Sequence, residues 1–120
     1  MIRKTLVFGA SLKPDRYSHM AVTKLRNNKH DVVAFGMLPG EVSGVQIDTE
    51  LIAYKDVDTI TLYMNPKRLK AYYNYLISLQ PRRVLFNPGT ENSEFYAELR
   101  KYGITYEEAC TLVLLSTNQY

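Results

Sequence analysis

Apolar runs and amphipathic stretches alternate along the 120 residues of the chain. Nearly continuous apolar runs that end at small or polar residues are typical of strands buried on both faces of a sheet. Such runs predict six strands, the third and the last of them short: Thr5–Gly9, Asp31–Gly36, Val45–Ile47, Thr59–Met64, Arg83–Asn87 and Ile104–Tyr106.

Between these strands, apolar residues recur every three or four positions, which is the spacing of one helix face. Asn65-Pro66 reads as an N-cap followed by the residue favoured at the first helical position. Gly103 has the position of a helix stop. The predicted helices cover Tyr17–Asn28, the segment from Pro66 to before Pro81, the segment from Asn92 or Ser93 to Gly103, and the tail Glu107–Thr117, where helix is favoured over strand.

This alternation predicts one α/β domain over residues 1–120, a Rossmann-like three-layer α/β/α sandwich with a mostly parallel sheet of five to six strands. In such sheets, ligands bind beyond the carboxyl ends of the strands, where the strand order reverses. That rule directs attention to three loops, with a fourth adjoining them: Gly9–Ser18, Gly36–Gly44, Met64–Arg68 and Asn87–Asn92.

The charge balance limits the classes of partner. Fifteen basic and twelve acidic residues give a net charge of +3, which suits a small anionic ligand as well as nucleic acid. The basic residues are scattered, and they show no clustering with aromatic residues beyond Lys67–Tyr75. Nucleic acid is therefore not expected as a partner.

Several other classes are disfavoured. No apolar run approaches the ~20 residues that a bilayer span requires. The N-terminal apolar run is too short for a signal peptide, so we expect a cytoplasmic protein. Cys110 is the only cysteine, which excludes an internal disulfide, and we interpret it as a buried small hydrophobe. No metal site is expected, because His19 and His30 have no partner at metal-ligand spacing.

The loop after the first strand carries the clearest chemistry. Small residues there allow a sharp turn and close approach of a ligand, and the following helix directs its unpaired N–H groups at that turn. Two hydroxyls and two cations add hydrogen bonds and charge for phosphate oxygens. The alternative is that the serine at position 18 only caps the helix and the cations are solvated. The candidate residues are Gly9, Ala10, Ser11, Lys13, Arg16 and Ser18.

Binding of NAD is disfavoured by the same region. The loop has one glycine instead of the three of the dinucleotide fingerprint, and no acidic residue ends the second strand at Phe35-Gly36 to bind a ribose. A cation of the loop could still bind the extra phosphate of NADP, so an NADP-dependent enzyme stays open.

The stretch "GASLKPDRYSHMAVTKL" resembles the signature of the small bacterial CoA-binding proteins: Gly-Ala-Ser, two residues, Pro, one residue, Arg, one residue, Ser. The resemblance continues through "EVSG", "AYKDV" and "GTENSEFYAELRKYGI", and Cys110 falls where such proteins usually carry a cysteine. This family is similar to the CoA-binding domain of the succinyl-CoA synthetase α subunit, which has a Rossmann-type fold.

The resemblance implies that the first loop holds the CoA diphosphate and that the loop after the second strand, with Met37, lies near the adenosine. The chain departs from the family at several positions. Met64 and Asn65, which are expected among the ligand-binding residues, stand where an arginine pair is usual. Lys67 and Arg68 follow as either anion ligands or a solvated basic face. At the end of the fifth strand, Asn87 and Gly89 are expected to face the same crevice, Asn87 with a hydrogen bond to the pantetheine or an acyl group.

The resulting hypothesis is a non-catalytic module that binds coenzyme A or an acyl-CoA without covalent attachment. Its partners would be that nucleotide ligand and either a second copy or an acyl-CoA enzyme. Two alternatives belong to other classes: an NADP-dependent enzyme or nucleotide-binding domain, and a ligand-free interaction module that uses its tyrosine-rich helix.

Overall fold

The computed structural model describes residues 3–120. Within that range the seven strands are β1 (Thr5–Ala10), β2 (Val32–Gly36), β3 (Gly40–Val42), β4 (Val45–Asp48), β5 (Thr59–Leu62), β6 (Arg83–Phe86) and β7 (Thr105–Glu108). The helices are α1 (Tyr17–Asn27), α2 (Pro66–Leu69), α3 (Tyr73–Ser78), α4 (Ser93–Lys101) and α5 (Thr111–Ser116), with a 3₁₀ turn at Lys70–Tyr72 between α2 and α3. None of the helices in residues 3–120 has the length and apolar character needed to cross a bilayer.

The strands form a single sheet in the order β3-β4-β2-β1-β5-β6-β7. All neighbours are parallel except the β3–β4 hairpin. The Rossmann-like α/β fold is confirmed, with seven strands where five to six were predicted. The chain proceeds from the central β1 to β2 on one side and later returns to β5 on the other side. The strand order therefore reverses at β1, and a ligand crevice is expected beyond its carboxyl end.

Alternate residues of β1 face two separate cores. Leu6 and Phe8 pack with Leu69, Leu76 and Phe95, which belong to α2, α3 and α4. Val7 packs with Val22, Leu25 and Leu115, which belong to α1 and α5. The sheet is thus covered by helices on both faces, and the three-layer arrangement follows from the period-2 alternation of buried strands.

The structure corrects the sequence prediction in three segments. The helix predicted from Pro66 to before Pro81 is divided into α2, the 3₁₀ turn and α3, and it ends at Ser78. The loop after β2 contains an additional strand, β3, joined to β4 by a tight turn in which Ser43 and Gly44 both have positive φ. In the tail, β7 extends to Glu108 and α5 begins only at Thr111, so the predicted helix at 107–117 is correct for its second half alone.

Candidate functional site

A crevice of about 620 Å³ lies beyond the carboxyl ends of β1 and β5, at the reversal of strand order. Ten of the eleven predicted site residues line it, and the exception is Asn87. The complete lining is Gly9, Ala10, Ser11, Leu12, Lys13, Arg16, Ser18, Met37, Leu38, Tyr63, Met64, Asn65, Arg68, Pro88, Gly89 and Thr90.

Gly9 lines the crevice, and a larger residue at this position would be strained. Its φ is +103°, in the left-handed region, and a Cβ there would lie 3.1 Å from the carbonyl carbon and oxygen of Tyr63. The N–H of Tyr63 in turn donates to the carbonyl of Phe8 at 2.9 Å. The two chain segments that leave the centre of the sheet therefore pass each other at backbone contact distance.

Gly36 and Gly40 allow the loop after β1 to pack closely on β2 and β3. A Cβ on Gly36 would lie 2.4 Å from the carbonyl oxygen of Ala10, and one on Gly40 would meet the side chain of Leu12 at 2.5 Å. The missing side chains thus let the loop after β1 pack directly on the end of β2 and on β3. These contacts support the start of the loop, at Ala10 and Leu12.

Helix α1 opens towards the crevice. Its N-cap residue is Arg16, whose side chain makes no capping hydrogen bond, and its first turn contains no acidic residue. The first intrahelical hydrogen bond is donated by the N–H of Met20 to the carbonyl of Arg16, so the N–H groups of residues 17–19 precede the helical ladder. This helix end presents positive partial charge to whatever occupies the crevice.

Ser11 and His19 define the loop between β1 and α1. The Ser11 hydroxyl accepts a hydrogen bond from the N–H of Lys13 at 3.1 Å, which leaves its own proton available to a ligand. The Nδ1 of His19 donates to the Ser11 carbonyl at 3.1 Å. This hydrogen bond ties the loop to α1.

The charge of the lining has one sign. Lys13, Arg16 and Arg68 are cationic, and no carboxylate is among the lining residues that the structure describes. Helix α2 packs on the opposite face of the sheet from α1, so Arg68 contributes from a different wall than Lys13 and Arg16. The sequence left Arg68 undecided between an anion ligand and a solvated surface residue, and the structure brings it to the crevice.

Asn87 does not take the place that the sequence suggested. It is only 2% exposed and lies outside the crevice lining. Its Nδ2 donates to Thr61 Oγ1 at 2.7 Å and to the Leu62 carbonyl at 2.9 Å, and its Oδ1 accepts from the N–H of Thr111 at 2.9 Å. Because both donors are used within the protein, the expected hydrogen bond to a pantetheine or acyl group is dropped, and Asn87 ties β5, β6 and α5 together.

Apolar side chains surround the mouth of the crevice. Met37 is 57% exposed and Leu38 is 68% exposed, and Leu12 stands beside them over Gly40. Of these three residues, the sequence singled out only Met37. Exposed apolar side chains grouped at a polar crevice are typical of a site that also contacts an apolar part of its ligand.

Tyr63 is a further lining residue that the sequence did not indicate. Its hydroxyl is buried and has no hydrogen-bond partner in residues 3–120. Burial raises the pKa of Tyr63 to about 12, outweighing the nearby hydroxyls of Thr61 and Thr111. The phenol therefore stays neutral at physiological pH. Cys110, the N-cap residue of α5, is half-buried and does not line the crevice.

A doubly wound sheet with a basic, carboxylate-free crevice at its point of strand reversal defines a Rossmann-type domain whose site is complementary to an anionic ligand. The family is given by comparison with known proteins. The family model described as a CoA binding domain matches residues 3–116, so the chain belongs to this CoA-binding family.

Solved structures agree with this fold. One, described only as an uncharacterized protein, is 42% identical, has a TM-score of 0.97, and is matched over 100% of this chain and 99% of its own. A protein from Thermus thermophilus is 20% identical with a TM-score of 0.87, over 99% of this chain and 91% of its own. A hypothetical protein from Pyrococcus horikoshii OT3 is 22% identical with a TM-score of 0.81, over 94% and 82%. Among curated proteins, no match is found.

Proposed function

We propose that this chain binds coenzyme A or an acyl-CoA non-covalently in the crevice at the end of β1 and β5, without catalysis of its own. The observation that carries the proposal is the lining of the crevice: three cations and no carboxylate, beside the uncapped start of α1. Membership of the CoA-binding family supplies the class of ligand.

The diphosphate of CoA is assigned to the β1–α1 loop. Phosphate oxygens accept hydrogen bonds from backbone N–H groups at a helix start, and the small residues Gly9 and Ala10 leave room for that approach. Arg16 is placed to bind the diphosphate through its guanidinium fork, with Lys13 as a second charge. A hydrogen bond to a charged group of this kind contributes roughly 1.5–3 kcal/mol.

The apolar mouth is assigned to the uncharged parts of the ligand. Leu12, Met37 and Leu38 are exposed beside the crevice, and covering them with an adenine ring or a pantetheine arm would remove apolar surface from water. This burial would favour CoA over inorganic diphosphate, which offers the same charges without an apolar surface.

The proposal of binding without catalysis rests on the chemistry of the lining. No histidine, cysteine or carboxylate lines the crevice in the part of the chain that the structure describes. The phenol of Tyr63 is held neutral with its hydroxyl buried, so it is a poor general base. Lys13 and Tyr63 are the lining residues of acid–base type in the described part of the chain, and we assign Lys13 to the charge of the ligand.

The proposal is tested by thermal shift and calorimetry with CoA, acetyl-CoA, NAD and NADP. CoA and acetyl-CoA should each raise Tm, since a ligand at 100 times its Kd adds about 2.7 kcal/mol to the free energy of unfolding. NAD and NADP should do so much less. Equal stabilisation by NADP would favour the NADP-dependent alternative, and no shift with any of the four would favour the ligand-free one.

Arg16→Ala localises the binding. It should weaken CoA at least about ten-fold, the cost of losing one charge-assisted contact, and leave Tm of the free protein unchanged because Arg16 makes no cap. Lys101→Ala is the matched control, since it removes an exposed positive charge from α4, outside the crevice lining. Unchanged CoA affinity in Arg16→Ala would remove Arg16 from the site.

A further inference from the structure

The three basic residues at the start of the segment after β5 have different surroundings. Lys67 and Lys70 border a shallow depression that also contains Glu91 and Glu94, and Lys70 lies 3.6 Å from a carboxylate oxygen of Glu94. Arg68 instead lines the main crevice, in which residues 3–120 place no carboxylate. Lys70 thus pairs with an acidic side chain and Lys67 borders the same depression, whereas Arg68 lines the candidate ligand site.

The position of Arg68 is fixed by its backbone. Asn65, the N-cap of α2, accepts a hydrogen bond from the N–H of Arg68 at 2.9 Å, and the neighbouring Leu69 is fully buried in the core. Both contacts hold the Cα of Arg68 at the edge of the crevice whether or not a ligand is present. The fixed backbone removes part of the conformational freedom that Arg68 would lose on binding, and the exposed side chain loses the rest when it contacts the ligand.

The charge of the crevice exceeds what a diphosphate requires. A diphosphate that links two alcohols carries about −2 at neutral pH, and Lys13 and Arg16 beside the start of α1 already match that charge. Arg68 adds a third positive charge on the wall formed after β5, on the other face of the sheet from α1. Coenzyme A, the ligand that the family implies, carries one further anionic group. This group is a phosphate monoester with a charge of about −1.5 to −2.

We propose that Arg68 is a specificity-determining residue that binds the 3′-phosphate of CoA, so that the crevice distinguishes CoA from 3′-dephospho-CoA. The guanidinium fork suits the monoester, which presents several oxygens for bidentate hydrogen bonds. In this arrangement the β1–α1 wall holds the diphosphate, the adenine lies over Met37 and Leu38 after β2, and the 3′-phosphate reaches Arg68 on the β5–α2 wall. The inference rests on the proposed function, because it assigns one part of the same ligand.

The test is a comparison of two ligands on two proteins by calorimetry. The wild-type chain should bind CoA about ten-fold or more tightly than 3′-dephospho-CoA, as expected for one charge-assisted contact. Arg68→Ala should lose that preference by weakening CoA and leaving 3′-dephospho-CoA within two-fold of wild type. Lys67→Ala is the matched control, because it removes the adjacent charge outside the crevice, and it should keep the preference.

Each outcome has one meaning. If Arg68→Ala weakens both ligands equally, Arg68 contacts the diphosphate and the inference is overturned, although the proposed function stands. If the wild-type chain binds both ligands equally, the inference also fails, and this result does not depend on whether a variant folds. If the wild-type chain binds neither, the proposed function itself fails. Arg68→Lys, which keeps the charge without the fork, should recover part of the preference.

Discussion

The two ends of the sheet both carry positive charge, and they differ in what balances it. At the amino end, Arg3 and Arg82 pair with Asp58, and Arg83 lies over the ring of Tyr120 at 4.6 Å. At the carboxyl end, the cations of the crevice have no carboxylate in the lining that the structure describes. The difference indicates that the amino-end cations stabilise the fold, whereas the carboxyl-end cations are available to a ligand.

The amino end is a continuous hydrogen-bonded chain. Arg82 donates to both oxygens of Asp58, from Nε at 2.8 Å and from Nη2 at 3.2 Å. Thr59 Oγ1 donates to Asp58 at 2.7 Å and accepts from Nε of the buried Arg83 at 2.9 Å. Burial alone would raise the pKa of Asp58, but the hydrogen bonds from Arg82 and Thr59 and the charges of Arg82 and Arg3 outweigh it and lower the pKa. The carboxylate is therefore kept charged by its partners.

The largest expected effect is a loss of stability at the carboxyl end of the sheet. It would show that this end also contains residues on which the fold depends. Gly36→Ala would place a Cβ 2.4 Å from the carbonyl oxygen of Ala10, a backbone atom that cannot turn away. We expect the free energy of unfolding to fall by about 3 kcal/mol, the upper part of the range for overpacking, when measured by urea denaturation.

Gly40→Ala is the control for that variant. Its Cβ would meet only the side chain of Leu12, which is 40% exposed and able to change rotamer. We expect a loss at least about 1 kcal/mol smaller than that of Gly36→Ala. Equal losses would mean that the loop after β1 moves freely over β2, contrary to the close packing described above.

Much of this arrangement is readable from the sequence, because local pattern determines it. Continuous apolar runs such as Thr5–Gly9 have one stable environment, a strand covered on both faces, and the alternation of strands and helices then determines the layers. The site follows from the fold, since the loop that contains Arg16 has to lie at the carboxyl end of β1. The strand β3 was missed because its three residues give too short a pattern, although Ser43-Gly44 is a recognisable turn signal.

The remaining part depends on the direction of individual side chains, which the sequence does not determine. Asn87 follows a strand as a ligand-binding residue would, but its amide is used by Thr61, Leu62 and Thr111, residues distant in sequence. Lys67 and Arg68 are adjacent and equally basic, yet only Arg68 lines the crevice. Tertiary contacts determine the direction of these side chains, so no local sequence pattern predicts it.

The second prediction sharpens the comparison at the amino end. Asp58→Asn removes the charge that holds Arg82 and Arg3 and turns an amide donor towards their N–H groups. We expect a loss of about 1–2 kcal/mol in the free energy of unfolding, as for hydrogen bonds to a charged partner that is partly exposed. CoA affinity of the folded protein should not change, because none of these residues lines the crevice.

Glu50→Gln makes the same change of charge at an exposed position and should leave stability within about 0.5 kcal/mol of wild type. Weaker CoA binding in Asp58→Asn than in Glu50→Gln would show that the two ends of the sheet are coupled. The separation of roles drawn above would then be wrong.

The smallest expected effect is a pH dependence that belongs to the amino end. His30 is buried, its Nδ1 accepts the N–H of Arg3 at 2.9 Å, and the ring of Tyr120 packs edge-on against it. Burial lowers the pKa of His30, and the charges of Arg3 and Arg83 lower it further. In the unfolded chain the pKa of His30 has its ordinary value of 6.5, so the unfolded chain binds the proton more readily. The free energy of unfolding is therefore highest above pH 6.5 and falls on acidification towards the folded-state pKa.

Urea titrations between pH 8 and pH 5 should show this fall in the free energy of unfolding, at most about 1.4 kcal/mol per pH unit for one group. The variant His30→Gln should reduce the pH dependence. His19→Gln, near the crevice, is the control for loss of a histidine. A slope that survives in His30→Gln would assign the pH dependence to other groups and leave His30 a packing residue.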